Sequence, residues 1–198
     1  MLSDLPNVLT ILRIVAVPLL VGLVMWRTPV GDAAACLVFV IAGITDYLDG
    51  HLARARRQQS DLGRMLDPIA DKLLVGASLM VLAAAQRLPW GGLYAAILIL
   101  LREILVSGLR EYLGGVRITL PVTRLAKWKT GLQMVAIGML LAGDETARLL
   151  GLDGLPIALL GSVVLWAAAG ATLVTGWDYL TSALRHLGAV APRGTVAR

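Results

Sequence analysis

Long apolar segments recur along the whole length of this chain. Of its 198 residues, 58% are hydrophobic, which is too apolar for a water-soluble domain of this size. A helix needs about 20 apolar residues to cross the hydrocarbon core of a bilayer, and glycines, prolines or charges separate the segments here. The pattern predicts an all-α integral membrane protein with six transmembrane helices, over residues 8–26, 33–57, 62–86, 92–113, 125–142 and 155–184.

The predicted helices form one transmembrane domain, residues 1–187, with short connections. Residues 188–198 are rich in Gly, Pro and Ala, and we expect them to be a disordered tail. Lysines and arginines accumulate in the connections that lie on one side of the membrane. Because cytoplasmic loops of membrane proteins carry the excess of basic residues, we expect both termini to lie in the cytoplasm.

Four aspartates are unusual because they lie within this membrane-spanning pattern. Asp46 and Asp49 are three positions apart and Asp67 and Asp71 are four apart, so each pair shares one stripe of a helix. If the two stripes face each other, the carboxylates repel one another unless a cation lies between them. Carboxylate oxygens are the ligands that Mg²⁺ and Mn²⁺ prefer, so this stretch predicts a metal site.

The aspartates belong to a longer pattern, D-x2-D-G-x2-A-R-x8-G-x3-D-x3-D, which runs without substitution from Asp46 to Asp71. In this pattern the chain resembles the CDP-alcohol phosphotransferases, integral membrane enzymes of phospholipid synthesis. The resemblance implies that the four aspartates, Asp46, Asp49, Asp67 and Asp71, bind two Mg²⁺ or Mn²⁺ ions, and that Asp71 is also the general base.

The same resemblance implies a binding site for the nucleotide-activated lipid, CDP-diacylglycerol. Its residues would be Asp49, Gly50, Ala53, Arg54 and Gly63. From the spacing alone, Gly50 and Gly63 fit close approach of a nucleotide and tight helix packing equally well. Arg54 likewise fits a phosphate contact or the basic rim of the membrane.

Three further stretches resemble the bacterial branch of this family that makes phosphatidylglycerophosphate. They are LPNVLTILRIVAVPLL near the N-terminus, REILVSGLREYL from Arg102 and PVTRLAKWKTGLQMVA from Pro121. This resemblance implies transfer of the phosphatidyl group from CDP-diacylglycerol to a hydroxyl of sn-glycerol 3-phosphate, with release of CMP. It also implies a homodimer in the bacterial inner membrane, with the active site facing the cytoplasm.

The net charge of +5 comes from basic residues at the ends of apolar segments rather than on a soluble face. We therefore expect membrane lipid and phosphate substrates as partners, and no nucleic acid. Arginine and lysine capture phosphate dianions, so we predict a binding site for the acceptor phosphate in the basic group around the fourth connection. Its candidates are Arg110, Arg117, Arg124, Lys127 and Lys129. The positive-inside bias explains the same residues without a substrate.

Several polar or aromatic residues keep two explanations. Arg13 fits either snorkelling to the membrane surface or contact with a substrate phosphate. Arg102 and Glu103 lie deep in an apolar segment, where a structural pair and a substrate contact explain them equally well. Trp177 and Tyr179 fit an interfacial aromatic belt.

Two other functions remain open on the sequence. Another acceptor alcohol, such as inositol phosphate, serine or phosphatidylglycerol, would keep the aspartate pattern and change only the acceptor pocket. A cation transporter that uses the aspartates as its pathway is a remote alternative, because such proteins are built from repeated halves and no internal repeat is visible here.

Overall fold

The computed structural model describes residues 5–56, 61–115, 124–152 and 154–190, with side chains for residues 7–46, 63, 65–115, 125–152 and 154–185. The described residues form six helices and no strand, so the predicted all-α fold is confirmed. The helices are α1 Leu5–Met25, α2 Pro29–Arg56, α3 Asp61–Ala84, α4 Gly92–Gly115, α5 Arg124–Leu149 and α6 Ile157–Val190. The connection between the second and third predicted helices, residues 58–61, lies outside the described residues except for Asp61, which begins α3.

Helix α2 begins at Pro29, earlier than the predicted start at residue 33. The hydroxyl of Thr28 accepts a hydrogen bond from the amide of Gly31 at 3.1 Å, as the side chain before a helix commonly does. Proline is favourable at the first helical position because it has no amide hydrogen to leave unpaired. Asp32, predicted to lie in the connection, therefore lies in the first turn of α2.

The predicted loop over residues 143–154 is wrong in its first half, because α5 extends to Leu149. Gly143 has φ 64° and ψ 179°, a conformation that residues with a side chain rarely adopt, so the helix bends there and then resumes. After the bend, the carboxylate of Asp144 accepts a hydrogen bond from the amide of Ala158 at 2.9 Å and caps the start of α6. At its other end α6 reaches Val190, past the predicted beginning of the tail at Gly188.

The helices run alternately up and down, and they pack in two groups. Helix α1 packs against α2 and α3, α6 packs against α4 and α5, and α2 joins the groups by its contact with α5. The buried apolar core draws on the second halves of α1, α3 and α5 and the first halves of α2, α4 and α6, with large side chains such as Leu20, Phe39 and Leu165. In an up-and-down bundle these halves lie at one end. The carboxylates and basic side chains described below lie toward the other end.

Arg87 links three parts of the chain at the apolar end of the bundle. Its guanidinium pairs with Asp32, which is 3% exposed, and donates a hydrogen bond to the backbone oxygen of Leu141 at 3.3 Å. These contacts join α2, α5 and the connection between α3 and α4. The end of the molecule away from the signature aspartates is therefore held by its own ion pair.

Four of the described helices contain segments long and apolar enough to cross a membrane, by length and composition. They are Asn7–Met25, Pro29–Asp46, Gly92–Gly115 and Ile157–Arg185. Helices α3 and α5 have 24 and 26 residues, which is sufficient length, but they carry more charged side chains. The chain is thus a multi-pass membrane protein, and the apolar segment of α2 ends at Asp46, the first aspartate of the signature.

Candidate active site

Three signature aspartates meet polar side chains of α1. Arg13 Nη1 lies 2.7 Å from Oδ1 of Asp46 on α2 and donates a hydrogen bond to Oδ1 of Asp71 on α3 at 2.9 Å. The hydroxyl of Thr10, one turn earlier on α1, donates a hydrogen bond to Oδ1 of Asp67 at 2.6 Å. Asp46 and Asp67 also lie close enough to Asp71 for their charges to act on it. The structure thus brings Asp46 of the first stripe together with Asp67 and Asp71 of the second.

We call this group the carboxylate cluster; its members are Thr10, Arg13, Asp46, Asp67 and Asp71. The cluster has a buried base and an open rim. The side chain of Arg13 is 1% exposed, whereas those of Asp46 and Asp71 are 41% and 50% exposed. The suggestion that Arg13 snorkels to the membrane surface is therefore wrong. Its Nη1 meets two carboxylates inside the protein, so the positive charge of the guanidinium is compensated there without reaching water.

A pattern in α1 could have indicated this arrangement. Asn7, Thr10 and Arg13 are spaced by three residues in an otherwise apolar helix, and each is no more than 2% exposed. Residues three apart lie on the same side of a helix, so this polar face must meet polar partners inside the protein.

The remaining signature residues are described only in part. Asp49, Gly50, Ala53 and Arg54 belong to α2, but their side chains lie outside the described ones. Gly63 is buried near the start of α3.

Among the described residues, no three acidic, histidine or cysteine side chains form a group able to hold a metal ion on their own. The carboxylates of Asp46 and Asp71 nevertheless fit Mg²⁺ or Mn²⁺, because carboxylate oxygens are the hard ligands that these ions prefer. Both side chains are about half exposed, so water can reach the same site.

A second polar group joins α4, α5 and α6, and we call it the basic network. It consists of Arg102, Glu103, Arg110, Lys129, Thr175 and Tyr179. Lys129, 3% exposed, binds the carboxylate of Glu103. Arg102 lies 3.5 Å from the same carboxylate oxygen, and its Nη2 donates a hydrogen bond to the hydroxyl of Thr175 at 3.0 Å. Arg102 and Glu103 therefore form a structural pair.

Tyr179 completes the basic network on the α6 side. The guanidinium carbons of Arg102 and Arg110 lie 5.6 and 5.4 Å from the centroid of its ring, within the range of cation–π contacts. Tyr179 is 5% exposed, so its predicted place in an interfacial belt is wrong, whereas Trp177 is 67% exposed. The sequence offers no signal for this contact, since the partners lie on helices far apart along the chain.

The three described members of the predicted acceptor group differ in their surroundings. Lys129 is buried against Glu103, Arg110 contacts Tyr179, and Lys127 is exposed at the start of α5. Arg117 and the side chain of Arg124 lie outside the described residues.

The carboxylate cluster and the basic network lie at the same end of the bundle. Asp67 and Asp71 are in the first half of α3, so the up-and-down order places the end of α4, the start of α5 and the end of α6 on their side. Helix α5 packs directly against α2 and α3. An acidic group and a basic group thus lie at one end of the bundle.

The family model described as CDP-alcohol phosphatidyltransferase matches residues 3–174. The chain belongs to the CDP-alcohol phosphatidyltransferase family. This confirms the resemblance carried by the aspartate signature. Membership of the CDP-alcohol phosphatidyltransferase family makes the chain an enzyme, and it rules out the transporter alternative.

Three relatives from this family carry the name CDP-diacylglycerol–glycerol-3-phosphate 3-phosphatidyltransferase. The protein of Rickettsia bellii is 41% identical over 187 residues, which cover 93% of this chain and 97% of the relative. That of Rickettsia prowazekii is 42% identical over 177 residues, covering 89% and 93%. That of Cereibacter sphaeroides is 39% identical over 215 aligned positions, covering 93% and 97%.

Proposed function

We propose that this chain transfers the phosphatidyl group of CDP-diacylglycerol to a hydroxyl of sn-glycerol 3-phosphate, giving phosphatidylglycerophosphate and CMP. The observation that carries the proposal is that Asp46, Asp67 and Asp71 contact polar side chains of α1 at the same end of the bundle as the basic network. Carboxylates recruit the cation that phosphoryl chemistry needs, and a basic group suits an acceptor that itself carries a phosphate. The names of the relatives support this pair of substrates.

The metal would be held by Asp46, Asp49, Asp67 and Asp71, and the family resemblance favours two ions. When bound, Mg²⁺ or Mn²⁺ neutralises charge on the diphosphate and on the departing phosphate. Arg13 and Thr10 would orient the carboxylates, because each donates to an oxygen on the inner side of the cluster. The half-exposed rim of Asp46 and Asp71 faces the side from which ligands arrive.

In the reaction, the acceptor hydroxyl oxygen attacks the lipid-side phosphorus of CDP-diacylglycerol. A new phosphorus–oxygen bond forms while the bond to the CMP oxygen breaks, and CMP leaves with that electron pair. Asp71 would accept the hydroxyl proton, since its carboxylate is half exposed and held in place by Arg13. A general base must lie within hydrogen-bonding reach of the proton, which an open rim permits.

The two substrates would bind to different parts of this end of the bundle. We assign CDP-diacylglycerol to Asp49, Gly50, Ala53, Arg54 and Gly63, on the family resemblance. We assign the acceptor phosphate to the predicted basic group, with Arg110 and Lys127 as its exposed members and Lys129 held deeper by Glu103. Arg117 and Arg124 complete this assignment from the sequence.

For its location, we propose the bacterial inner membrane, with six spans and both termini in the cytoplasm. The even number of helices and the basic connections near the carboxylate cluster support this orientation. The active site would then meet its soluble substrate in the cytoplasm. The family resemblance also favours a homodimer, which cross-linking of the purified protein would check.

The decisive experiment offers the purified full chain labelled CDP-diacylglycerol and a panel of acceptors. We expect CMP release with sn-glycerol 3-phosphate and much less with glycerol, serine, inositol phosphate or phosphatidylglycerol. Added Mg²⁺ or Mn²⁺ should be required. Faster turnover with serine or inositol phosphate would overturn the acceptor, and full turnover in excess chelator would overturn the metal site.

A further inference from the structure

Two arginines of α4 share one aromatic ring of α6. Arg102 and Arg110 both lie against Tyr179, which is buried, while the side chain of Arg110 reaches the exposed surface. Like charges repel, so two guanidiniums gather on one ring only if the protein holds them there. The electron-rich face of the ring and the nearby Glu103 carboxylate supply that attraction.

The basic network keeps an excess of positive charge. Its described cations are Arg102, Arg110 and Lys129, and Glu103 is their one carboxylate partner within the network, so three positive charges and one negative charge leave +2. Lys129 and Arg102 already share that carboxylate. Arg110 is the exposed cation of the three, so its charge can reach a ligand, and a phosphate monoester dianion carries the opposite charge.

Helix α6 is shaped to receive Arg102. A side-chain carbon added at Gly176 would lie 3.0 Å from Cγ of Arg102, tighter than ordinary contact, so the arginine stem crosses α6 where a side chain is missing. Thr175 binds the guanidinium of Arg102, and Tyr179 follows one turn later on the same side of α6. Thr175, Gly176 and Tyr179 thus form a continuous seat for the arginines of α4.

We propose that Tyr179 is a positioning residue for the acceptor, and that its ring holds Arg110 in place to bind the acceptor phosphate. The proposal rests on the function proposed above and adds a residue that lies outside every sequence motif. A free arginine side chain samples many rotamers, and phosphate binding must then restrict them. A ring that restricts Arg110 beforehand lowers that cost, so it should act on acceptor affinity rather than on turnover.

The test compares Tyr179→Leu with Tyr179→Phe in the purified full chain. Leucine removes the ring face, whereas phenylalanine keeps it. We expect Tyr179→Leu to raise the KM for sn-glycerol 3-phosphate about fivefold, with the KM for CDP-diacylglycerol and kcat within about twofold of the parent. Tyr179→Phe, which keeps the ring, should raise the KM for sn-glycerol 3-phosphate less than Tyr179→Leu does. Trp177→Leu, an exposed aromatic on the same helix, is the matched control and should change nothing.

Tyr179→Met provides a second variant if the leucine protein does not fold, because its flexible side chain refills the space without a ring. An unchanged KM for sn-glycerol 3-phosphate in the ring-free variant would overturn the positioning role. So would an equal rise in Tyr179→Phe, or equal changes in both substrate constants. Failure of the proposed function would look different, since the parent protein itself would then not use sn-glycerol 3-phosphate.

Discussion

The carboxylate cluster gathers negative charges and the basic network gathers positive charges, and the two regions limit the repulsion between like charges in different ways. In the cluster, the lone cation Arg13 is 1% exposed at the base and the carboxylates of Asp46 and Asp71 are about half exposed. In the network, two of the three like charges are buried: the side chains of Lys129 and Arg102 are 4% and 10% exposed, and that of Glu103 between them is 24% exposed. Water therefore screens the like charges in the cluster, while the network depends on one carboxylate.

This difference has a physical consequence for each region. Half-exposed carboxylates can exchange one counter-ion for another, so the cluster is suited to receive a cation. Buried ammonium and guanidinium groups lose far more when their partner is removed, because no water replaces it. We therefore expect changes in the cluster to affect catalysis first and changes in the network to affect stability first.

The largest effect should come from Asp71→Asn, which removes a proton acceptor from the open rim of the cluster. We expect kcat to fall about 10³-fold, as is typical when a general base is lost, with a smaller change in the KM for CDP-diacylglycerol. Steady-state kinetics with both substrates measures this. Glu145→Gln, an exposed surface change on α5, is the control and should be neutral. Equal loss of lipid binding in Asp46→Asn, Asp67→Asn and Asp71→Asn would remove the special role of Asp71.

Glu103→Gln should destabilise the protein most among the ion-pair variants. The amide keeps the shape but leaves Lys129 and Arg102 buried without a carboxylate, so we expect a loss of about 2–3 kcal/mol in the free energy of unfolding. Denaturant titration in detergent measures it. Glu111→Gln, exposed on the same helix, should change little.

Adding Lys129→Met to Glu103→Gln sharpens the test of the basic network. The double variant removes one of the stranded cations, so it should regain part of the lost stability. A double variant less stable than Glu103→Gln would contradict the argument from burial.

Arg13→Gln should have a smaller effect on stability, about 1–2 kcal/mol without metal, because water already screens its partners. Added Mg²⁺ should restore part of the loss by supplying a new counter-charge. Thermal unfolding with and without Mg²⁺ measures both, and Arg13→Lys, which keeps the charge, should lose less. A loss larger than that of Glu103→Gln would reverse the comparison between the two regions.

The smallest effect should come from Gly176→Ala. The added carbon would press on the stem of Arg102, which shares the Tyr179 ring with Arg110. Because Arg110 is proposed to bind the acceptor phosphate, we expect the KM for sn-glycerol 3-phosphate to rise about twofold. Gly170→Ala is the matched control on α6, with nothing within 4 Å of the new carbon. It should raise stability slightly, since alanine favours a helix over glycine by about 1 kcal/mol. Equal behaviour of the two variants would argue against the seat on α6.

The features that the sequence predicts correctly are those that depend on local periodicity. The number and order of the helices follow from apolar segments of membrane-spanning length, and the aspartate stripes follow from spacings of three and four. The errors at helix ends were also local. Thr28 and Pro29 begin α2 early, and Gly143 bends α5 without ending it, because capping and backbone freedom depend on single residues rather than on hydropathy.

The partners of the polar side chains were decided by tertiary packing alone. Arg13 and Asp71 are 58 positions apart, and Arg102 and Thr175 are 73 apart. Whether Arg13 turns inward and Tyr179 is buried depends on which face of α1 or α6 meets its neighbours. The spacing of Asn7, Thr10 and Arg13 marks an inner face of α1, but α6 carries apolar residues on every side, so hydropathy marks no inner face there. The sequence alone determined that charges lie within a membrane protein, and packing between distant helices determined which opposite charge each one meets.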